Sequence, residues 1–114
     1  MKKTRIKLSD EAEEAYDWLC RQDSKIEKAI LNSIHQKTEL IKQNPHYGEP
    51  IAKKLIPTKY ISAYGITNLF RVELSCYWRM LYSLTSGGDI EIIAFVLDII
   101  DHRKYDKLFG YRKK

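Results

Sequence analysis

The segment that decides the fold reads IIAFVLDIIDHRKYDKLFG and runs from Ile92 to Gly110. Eight of its first nine residues are uncharged, and most of them are large and apolar. This composition predicts that Ile90–Ile99 forms a central strand, apolar on both faces for much of its length. Titratable and cationic side chains follow at once in Asp101–Tyr105. They form either a polar loop or an active site built on the end of the strand.

Two further strands precede this one and are marked by alternating apolar and polar residues. The alternation predicts strands over Asn68–Leu74 and Trp78–Leu84, joined by a turn at residues 75–77. Thr85–Asp89 contains two adjacent glycines, which supply the positive φ that tight hairpin turns need. Three consecutive antiparallel strands are therefore expected in the C-terminal half of the chain.

The N-terminal half has the pattern of one strand and two helices. Thr4–Leu8 alternates, and Ser9 follows as a helix N-cap before several acidic residues, which the helix dipole favours in the first turns. Apolar residues then recur at helical spacing on either side of a break at residues 22–24. Asn44-Pro45 ends the second helix, because proline disfavours helix at the residue before it. Two tightly joined helices predict an αα-hairpin.

This order of elements predicts a single α+β domain over residues 1–114. In this domain the N-terminal strand and the helical hairpin pack on one face of a curved antiparallel β-sheet. The segment between Gly48 and Gly65 is punctuated by glycine and proline, and we expect only short extended pieces in it.

The chain is basic, with a formal net charge of +5, which favours anionic partners such as nucleic acid or an acidic protein. Its two cysteines, Cys20 and Cys76, are far apart and have no metal-ligand companions, which indicates thiols in a reducing compartment. The N-terminus lacks the apolar core of a signal peptide, and no stretch is long enough to span a membrane. A cytoplasmic protein without a membrane partner is therefore expected.

The motifs indicate no cofactor and no metal. The sequence contains neither the phosphate-cradling GxxxxGK nor the dinucleotide-binding GxGxxG, and it has no His and Cys cluster at zinc spacing. Asp98 and Asp101 lie near one strand end, yet two aspartates alone do not make a metal site. What remains is a set of cations on consecutive predicted strands.

Arg71 and Arg79 are each embedded in otherwise apolar alternation, and Arg103 follows the end of the last strand. If strand register places them on one face, a concave, cation-lined sheet surface results that can bind a phosphate of RNA or DNA bidentately. The alternative is structural, with each arginine paired to a nearby carboxylate or extended along the sheet to solvent.

A histidine side chain can act as a general acid or base, and His102 is a candidate for this role, although an exposed loop histidine without a role is the commoner outcome. Tyr105 can serve as a weak acid, stack on a base or anchor the C-terminal tail. The tail itself is expected to form a short helix or a basic extension. Four more cations are suited to contact phosphates, or are simply solvated: Lys53, Lys54, Arg112 and Lys113.

Three segments, together with the order of elements, resemble the RelE/ParE toxin superfamily of bacterial and archaeal toxin–antitoxin systems. LFRVEL at residues 69–74 is similar to the family's strand of alternating basic residues. YWRMLY at residues 77–82 resembles its strand with the pattern Tyr-Arg-hydrophobic-hydrophobic-Tyr. The closing strand followed by DHRKY at residues 101–105 is similar to the family's His-Arg…Tyr end. The last two motifs together, about twenty residues apart, are more specific than either alone.

The resemblance implies a metal-free endoribonuclease that enters the ribosomal A site, cleaves mRNA and is held inactive by a cognate antitoxin. Arg79 would stabilise the pentacoordinate phosphate, with added charge from Arg71 and Arg103. His102 and Tyr105 would transfer protons or stack on an mRNA base.

Glu73 departs from the family pattern, because RelE carries a second lysine at this place in the strand. It is either a general base, as carboxylates are in some relatives, or a sign that this catalytic arrangement is lost. ParE-type members share the fold and act on DNA gyrase without the nuclease residues, so the fold does not fix the activity. The leading hypothesis is a ribosome-dependent mRNA endonuclease toxin. The alternatives are a gyrase-inhibiting toxin, a catalytically silent homologue that acts as a binding module, and a basic nucleic-acid-binding protein with no toxin role.

Overall fold

The computed structural model describes residues 3–88 and 90–110, so the candidates Arg112 and Lys113 lie outside the described residues. The five strands in that part of the chain are β1 (Lys3–Leu8), β2 (Glu49–Pro50), β3 (Phe70–Glu73), β4 (Arg79–Ser86) and β5 (Glu91–Ile100). The four α-helices described there are α1 (Asp10–Arg21), α2 (Lys25–Gln43), α3 (Thr58–Tyr64) and α4 (His102–Leu108). Short 3-10 turns occupy Lys53–Leu55 and Ser75–Tyr77.

The strands form one mixed sheet in the order β1-β5-β4-β3-β2. The apolar segment forms β5, which pairs on both sides and is therefore an interior strand, as its composition predicts. The predicted antiparallel run β3-β4-β5 is confirmed, as is the α+β class. β1 joins β5 in parallel, and the chain between these two neighbours contains the helical hairpin and the strands β2 to β4.

The helical hairpin covers one face of the sheet. It begins where Ser9 caps α1, since the Ser9 hydroxyl accepts a hydrogen bond from the amide of Ala12 and donates another to the carbonyl of Leu97 in β5. Ser24 caps α2 in the same way through the amide of Glu27. The main core lies between helices and sheet and includes Leu19, Ile30, Ile34, Ile41, Val72, Met80, Tyr82 and Val96.

A second, smaller core covers part of the other sheet face. α3 and α4 pack there, and the buried side chains are Ile56, Tyr60, Leu69, Leu81, Leu97, Ile100 and Tyr105. The expectation of only short extended pieces between residues 48 and 65 is wrong, because that segment contains the seven-residue helix α3. Helix α4 also begins earlier than Tyr105, since the Asp101 carboxylate caps it by accepting a hydrogen bond from the amide of Lys104. Helix α4 therefore covers part of the sheet face on which a cation-lined surface is predicted.

Candidate functional site

Strand register places four charged residues on the face that α4 roofs. Glu49 of β2 lies opposite Arg71 of β3, and Glu73 of β3 lies opposite Arg79 of β4. Residues directly opposite one another on paired strands point to the same face, and alternate residues of one strand share a face. The sheet thus carries two cross-strand pairs of opposite charge, and the two arginines share a face as the resemblance requires.

Arg71 is held from both sides. Its Nη2 forms an ion pair with the carboxylate of Glu49, and its Nη1 donates a 2.9 Å hydrogen bond to the hydroxyl of Tyr105. Tyr105 is buried at 3% exposure, and its ring lies against the guanidinium, 5.8 Å from ring centroid to Cζ. The Arg71 side chain keeps 26% of its surface exposed, so it is oriented and still reachable from solvent.

Arg79 lies beside it on the central strand and touches the same ring. Its Cζ is 5.4 Å from the centroid of Tyr105, and its Nε is 3.9 Å from the carboxylate of Glu73. Nη1 donates to the backbone carbonyl of Tyr77 at 3.0 Å. The Nε atoms of Arg71 and Arg79 are buried and have no hydrogen-bond partner among the described residues. A guanidinium group can donate several N–H hydrogen bonds to phosphate oxygens at once, so two arginines on one face suit a phosphate group.

The turn between β3 and β4 presents an aromatic ring beside this pair. Cys76 and Tyr77 both adopt left-handed backbone conformations, with φ of 60° and 64°, which cost a non-glycine residue about 1–2 kcal/mol each. The Tyr77 side chain is left 74% exposed, and its ring meets His102 edge to face at a centroid distance of 6.1 Å. Strain of this kind is concentrated at functional sites in proteins, and here it occurs in the turn whose Tyr77 carbonyl accepts a hydrogen bond from Arg79.

The other predicted site residues are placed apart from this cluster. Arg103 is exposed and lies two positions before Tyr105, about 200° around α4, so it points away from Arg79 instead of into the same hollow. Lys53 and Lys54 are exposed in the 3-10 turn that follows β2, and the structure gives neither an ion pair within residues 3–88 and 90–110.

Glu49 and Tyr77 are site residues that the sequence did not predict. Glu49 lies in the two-residue strand Glu49–Pro50, which is too short to show any alternation. Gly48 packs against the ring of Tyr82, which a Cβ at that position would approach within 2.9 Å, and its amide donates to the Tyr82 hydroxyl. This close approach brings β2 against the sheet and sets Glu49 opposite Arg71. A glycine before an isolated acidic residue is the only sequence signal of it.

A buried polar pair lies on the same sheet face nearer to β1. Asp98 of β5 is 8% exposed and accepts a 2.6 Å hydrogen bond from the hydroxyl of Tyr60 in α3. Burial, followed by this hydrogen bond to the carboxylate, raises the pKa of Tyr60 far above its usual value. Among residues 3–88 and 90–110 there is no group of three or more His, Cys, Asp or Glu that could hold a metal, and no described helix is long and apolar enough to cross a membrane.

No family model and no curated protein matches the sequence. Among solved structures, a YoeB/ParE toxin from Agrobacterium tumefaciens aligns with a TM-score of 0.61 at 15% identity, over 90% of this chain and 99% of that one. The YoeB dimer from Staphylococcus aureus aligns with a TM-score of 0.57 at 17% identity, over 88% of this chain and 98% of that one. The chain therefore has the RelE/ParE-type fold that its sequence motifs indicate.

Proposed function

We propose that the chain is the toxin of a toxin–antitoxin pair and that it cleaves mRNA on the ribosome without a metal ion. The observation that carries the proposal is the placement of Arg71 and Arg79 side by side on one sheet face, both against Tyr105 and each beside a carboxylate. One of the aligned solved structures is named as a YoeB/ParE toxin and the other as a YoeB dimer, which supports the same class. The net charge of +5 suits an RNA substrate.

Cleavage of this kind uses the ribose 2′-OH as the nucleophile. The 2′ oxygen bonds to the adjacent phosphorus and closes a 2′,3′-cyclic phosphate, while the bond from phosphorus to the 5′ oxygen breaks. One proton leaves the 2′-OH and one is taken up by the departing 5′ oxygen, so the site must accept one proton and donate another. It must also stabilise the negative charge that builds on the phosphoryl oxygens.

Arg79 is the residue placed to stabilise that charge. Its guanidinium is fixed by the carbonyl of Tyr77 and the ring of Tyr105 before any substrate arrives, and a preorganised cation needs little rearrangement during the reaction. Arg71 supplies a second positive charge from the neighbouring strand. Either Glu49 or Glu73 accepts the 2′-OH proton, since their side chains are 63% and 68% exposed and therefore open to substrate.

Two residues at the mouth of the site would hold the nucleotide and complete the proton transfer. The exposed ring of Tyr77 offers a face on which an RNA base can stack. His102 meets the edge of that ring and can protonate the leaving 5′ oxygen. Tyr105 is buried and bonded to Arg71, so we assign it the positioning of the two guanidinium groups and no proton transfer.

A second candidate is a ParE-like gyrase inhibitor or a catalytically silent binding module. The ion pairs from Arg71 to Glu49 and from Arg79 to Glu73 favour it, because guanidinium groups neutralised within the chain also fit a purely structural role. Under either reading a cognate antitoxin holds the toxin inactive, and an acidic antitoxin surface would complement the basic chain.

Primer extension on an mRNA incubated with the purified chain, with and without ribosomes, separates these functions. We expect defined cuts in the mRNA only when ribosomes are present, and no effect in a parallel DNA gyrase supercoiling assay. Intact mRNA together with inhibited gyrase would contradict the nuclease function and support the function of a gyrase inhibitor.

A further inference from the structure

A second basic cluster lies on the other flank of α4, apart from the paired arginines. Lys59 of α3 and Lys104 and Lys107 of α4 line a cavity of about 350 Å³, whose apolar wall is formed by Ile100 and Leu108. None of these lysines is part of the site described above, and only Lys104 lies within one of the motifs, DHRKY. We refer to this cavity as the lysine cavity.

The charge of the one acidic residue that lines the lysine cavity is already engaged. The Asp98 carboxylate accepts the hydrogen bond from Tyr60, and the Nζ of Lys59 lies 3.8 Å from the same oxygen. Lys104 and Lys107 have no ion pair with any residue in the described ranges 3–88 and 90–110. Like charges three residues apart on a helix repel one another, and an anion between the two lysines would relieve that repulsion.

Helix α4 stands as a ridge between the lysine cavity and the arginine site. Successive residues turn by about 100° around a helix, which places Lys104 on one side of the buried Tyr105 and His102, about 60° away, on the other. Arg103, about 200° from Tyr105, lies on the outer crest of this ridge. An α-helix with its side chains is about 10–12 Å across. A short single strand of nucleic acid bound at Arg79 can therefore pass over Arg103 and reach the lysine cavity.

We propose that the lysine cavity binds a backbone phosphate of single-stranded RNA on the side of α4 opposite the scissile phosphate. The inference rests on the proposed function for the identity of the polymer, whereas the cavity itself requires only a polynucleotide phosphate. Lysine ammonium groups bind phosphate as point charges without a fixed geometry, so the cavity supplies affinity and direction along the strand, and no base specificity. The phosphate belongs either to the mRNA or to ribosomal RNA, and its chemistry is the same in both.

The test uses the full chain and a fluorescent, uncleavable 2′-O-methyl RNA oligonucleotide, with binding followed by anisotropy between about 50 and 200 mM salt. The variant K104Q/K107Q removes two charges from the cavity. Its matched control, K7Q/K25Q, removes two exposed charges from β1 and the start of α2, away from α4. Loss of one phosphate contact should raise Kd about fivefold at 0.1 M salt and flatten the slope of log K against log[salt] by about 0.7.

A second arm measures binding of the same variants to ribosomes that carry no mRNA, which reports a ribosomal RNA phosphate. Weaker binding or a flatter salt dependence for K104Q/K107Q than for K7Q/K25Q supports phosphate binding in the lysine cavity. The arm in which the difference occurs identifies whether the phosphate belongs to mRNA or to ribosomal RNA. Equal behaviour of the two double variants in both arms, or no binding of the wild type to either probe, overturns the inference. Cleavage of mRNA on ribosomes is measured separately. A wild-type protein that binds RNA through the lysine cavity but does not cleave mRNA would contradict the nuclease function and would still support phosphate binding in the cavity.

Discussion

The hydroxyl of Tyr105 accepts a 2.9 Å hydrogen bond from Nη1 of Arg71. Tyr105 lies on α4 and Arg71 on β3, so this bond joins the last described helix to the sheet. The same ring lies 5.4 Å from the guanidinium of Arg79 on the next strand. One buried tyrosine therefore sets the positions of two cations, and α4 serves as the support of the site as well as its roof.

Tyr105→Phe tests this support. The substitution keeps the ring over both guanidinium groups and removes the hydroxyl that accepts from Arg71, which leaves a partly buried charged donor short of one bond. We expect the free energy of unfolding in urea to fall by about 1–3 kcal/mol. Tyr64→Phe is a suitable control, because the Tyr64 hydroxyl bonds to Glu11 at an exposed position. Equal stability of Tyr105→Phe and wild type would mean that this bond does not hold α4 in place.

Glu49→Gln and Glu73→Gln, compared side by side, identify the general base. Both carboxylates sit beside an arginine on the same face, and Gln keeps the size while removing the ability to accept a proton at neutral pH. We expect the variant of the true base to lose about 10²–10⁴-fold in cleavage rate on ribosomes, and the other to lose much less. Unchanged rates in both variants would exclude a carboxylate base from the mechanism.

Tyr77→Ala and Tyr77→Phe test the stacking role of the exposed ring. Base stacking on an aromatic ring contributes about 1–3 kcal/mol, so we expect Ala to weaken substrate binding about 5–150-fold and Phe to retain most of it. The comparison is made on KM for ribosome-bound mRNA. Because the ring is solvent-exposed, unfolding in urea should be nearly the same for the two variants. Similar KM values for Ala and wild type would refute the stacking role.

Tyr60→Phe tests the buried pair with Asp98 through its pH dependence. At neutral pH the variant should be about 1–3 kcal/mol less stable, because Asp98 loses a buried hydrogen bond. The raised pKa of Tyr60 means that its stabilisation is complete below the unfolded value of 10.0 and is lost as pH rises above it, when only the unfolded chain releases the proton. The wild type should therefore lose about 1.4 kcal/mol per pH unit relative to Tyr60→Phe above pH 10.

Urea unfolding of both proteins at several pH values between 7 and about 11 measures that difference. Stability curves that stay parallel above pH 10 would show that Tyr60 ionises equally in the folded and unfolded chains. They would contradict the raised pKa of Tyr60 in the folded chain.

Much of the fold follows from local patterns in the sequence. Ser9 and Ser24 cap helices where polar residues precede apolar periodicity, and β5 lies in the sheet interior because it is apolar on both faces. The sequence did not predict α3, because Pro57 and Gly65 suggest extended structure and in fact flank a helix of seven residues. Tertiary packing of Tyr60 into the second core stabilises that helix, and periodicity over so short a segment does not reveal it.

The site is predictable to the extent that strand alternation determines it. Alternation gives the face of Arg71 and Arg79 within each strand, whereas the sequence leaves the register between the strands open, and the structure places both arginines on the same face. The direction of Arg103 does not follow, because Asp101 starts a helix directly after β5 and rotates Arg103 outward. The role of Glu49 could not be predicted from the sequence for another reason. Its position opposite Arg71 depends on the two-residue strand β2, which pairs with a strand that is distant in sequence.

Arg79 carries the central claim, and cleavage of ribosome-bound mRNA by Arg79→Ala is its most direct test. Arg21→Ala, an exposed arginine in the last turn of α1, controls for the loss of one positive charge. We expect Arg79→Ala to fold, as judged by far-UV circular dichroism, and to lose mRNA cleavage and growth arrest, while Arg21→Ala keeps both. A folded Arg79→Ala protein that cuts mRNA and arrests growth as the wild type does would contradict the assignment of this face as the nuclease site.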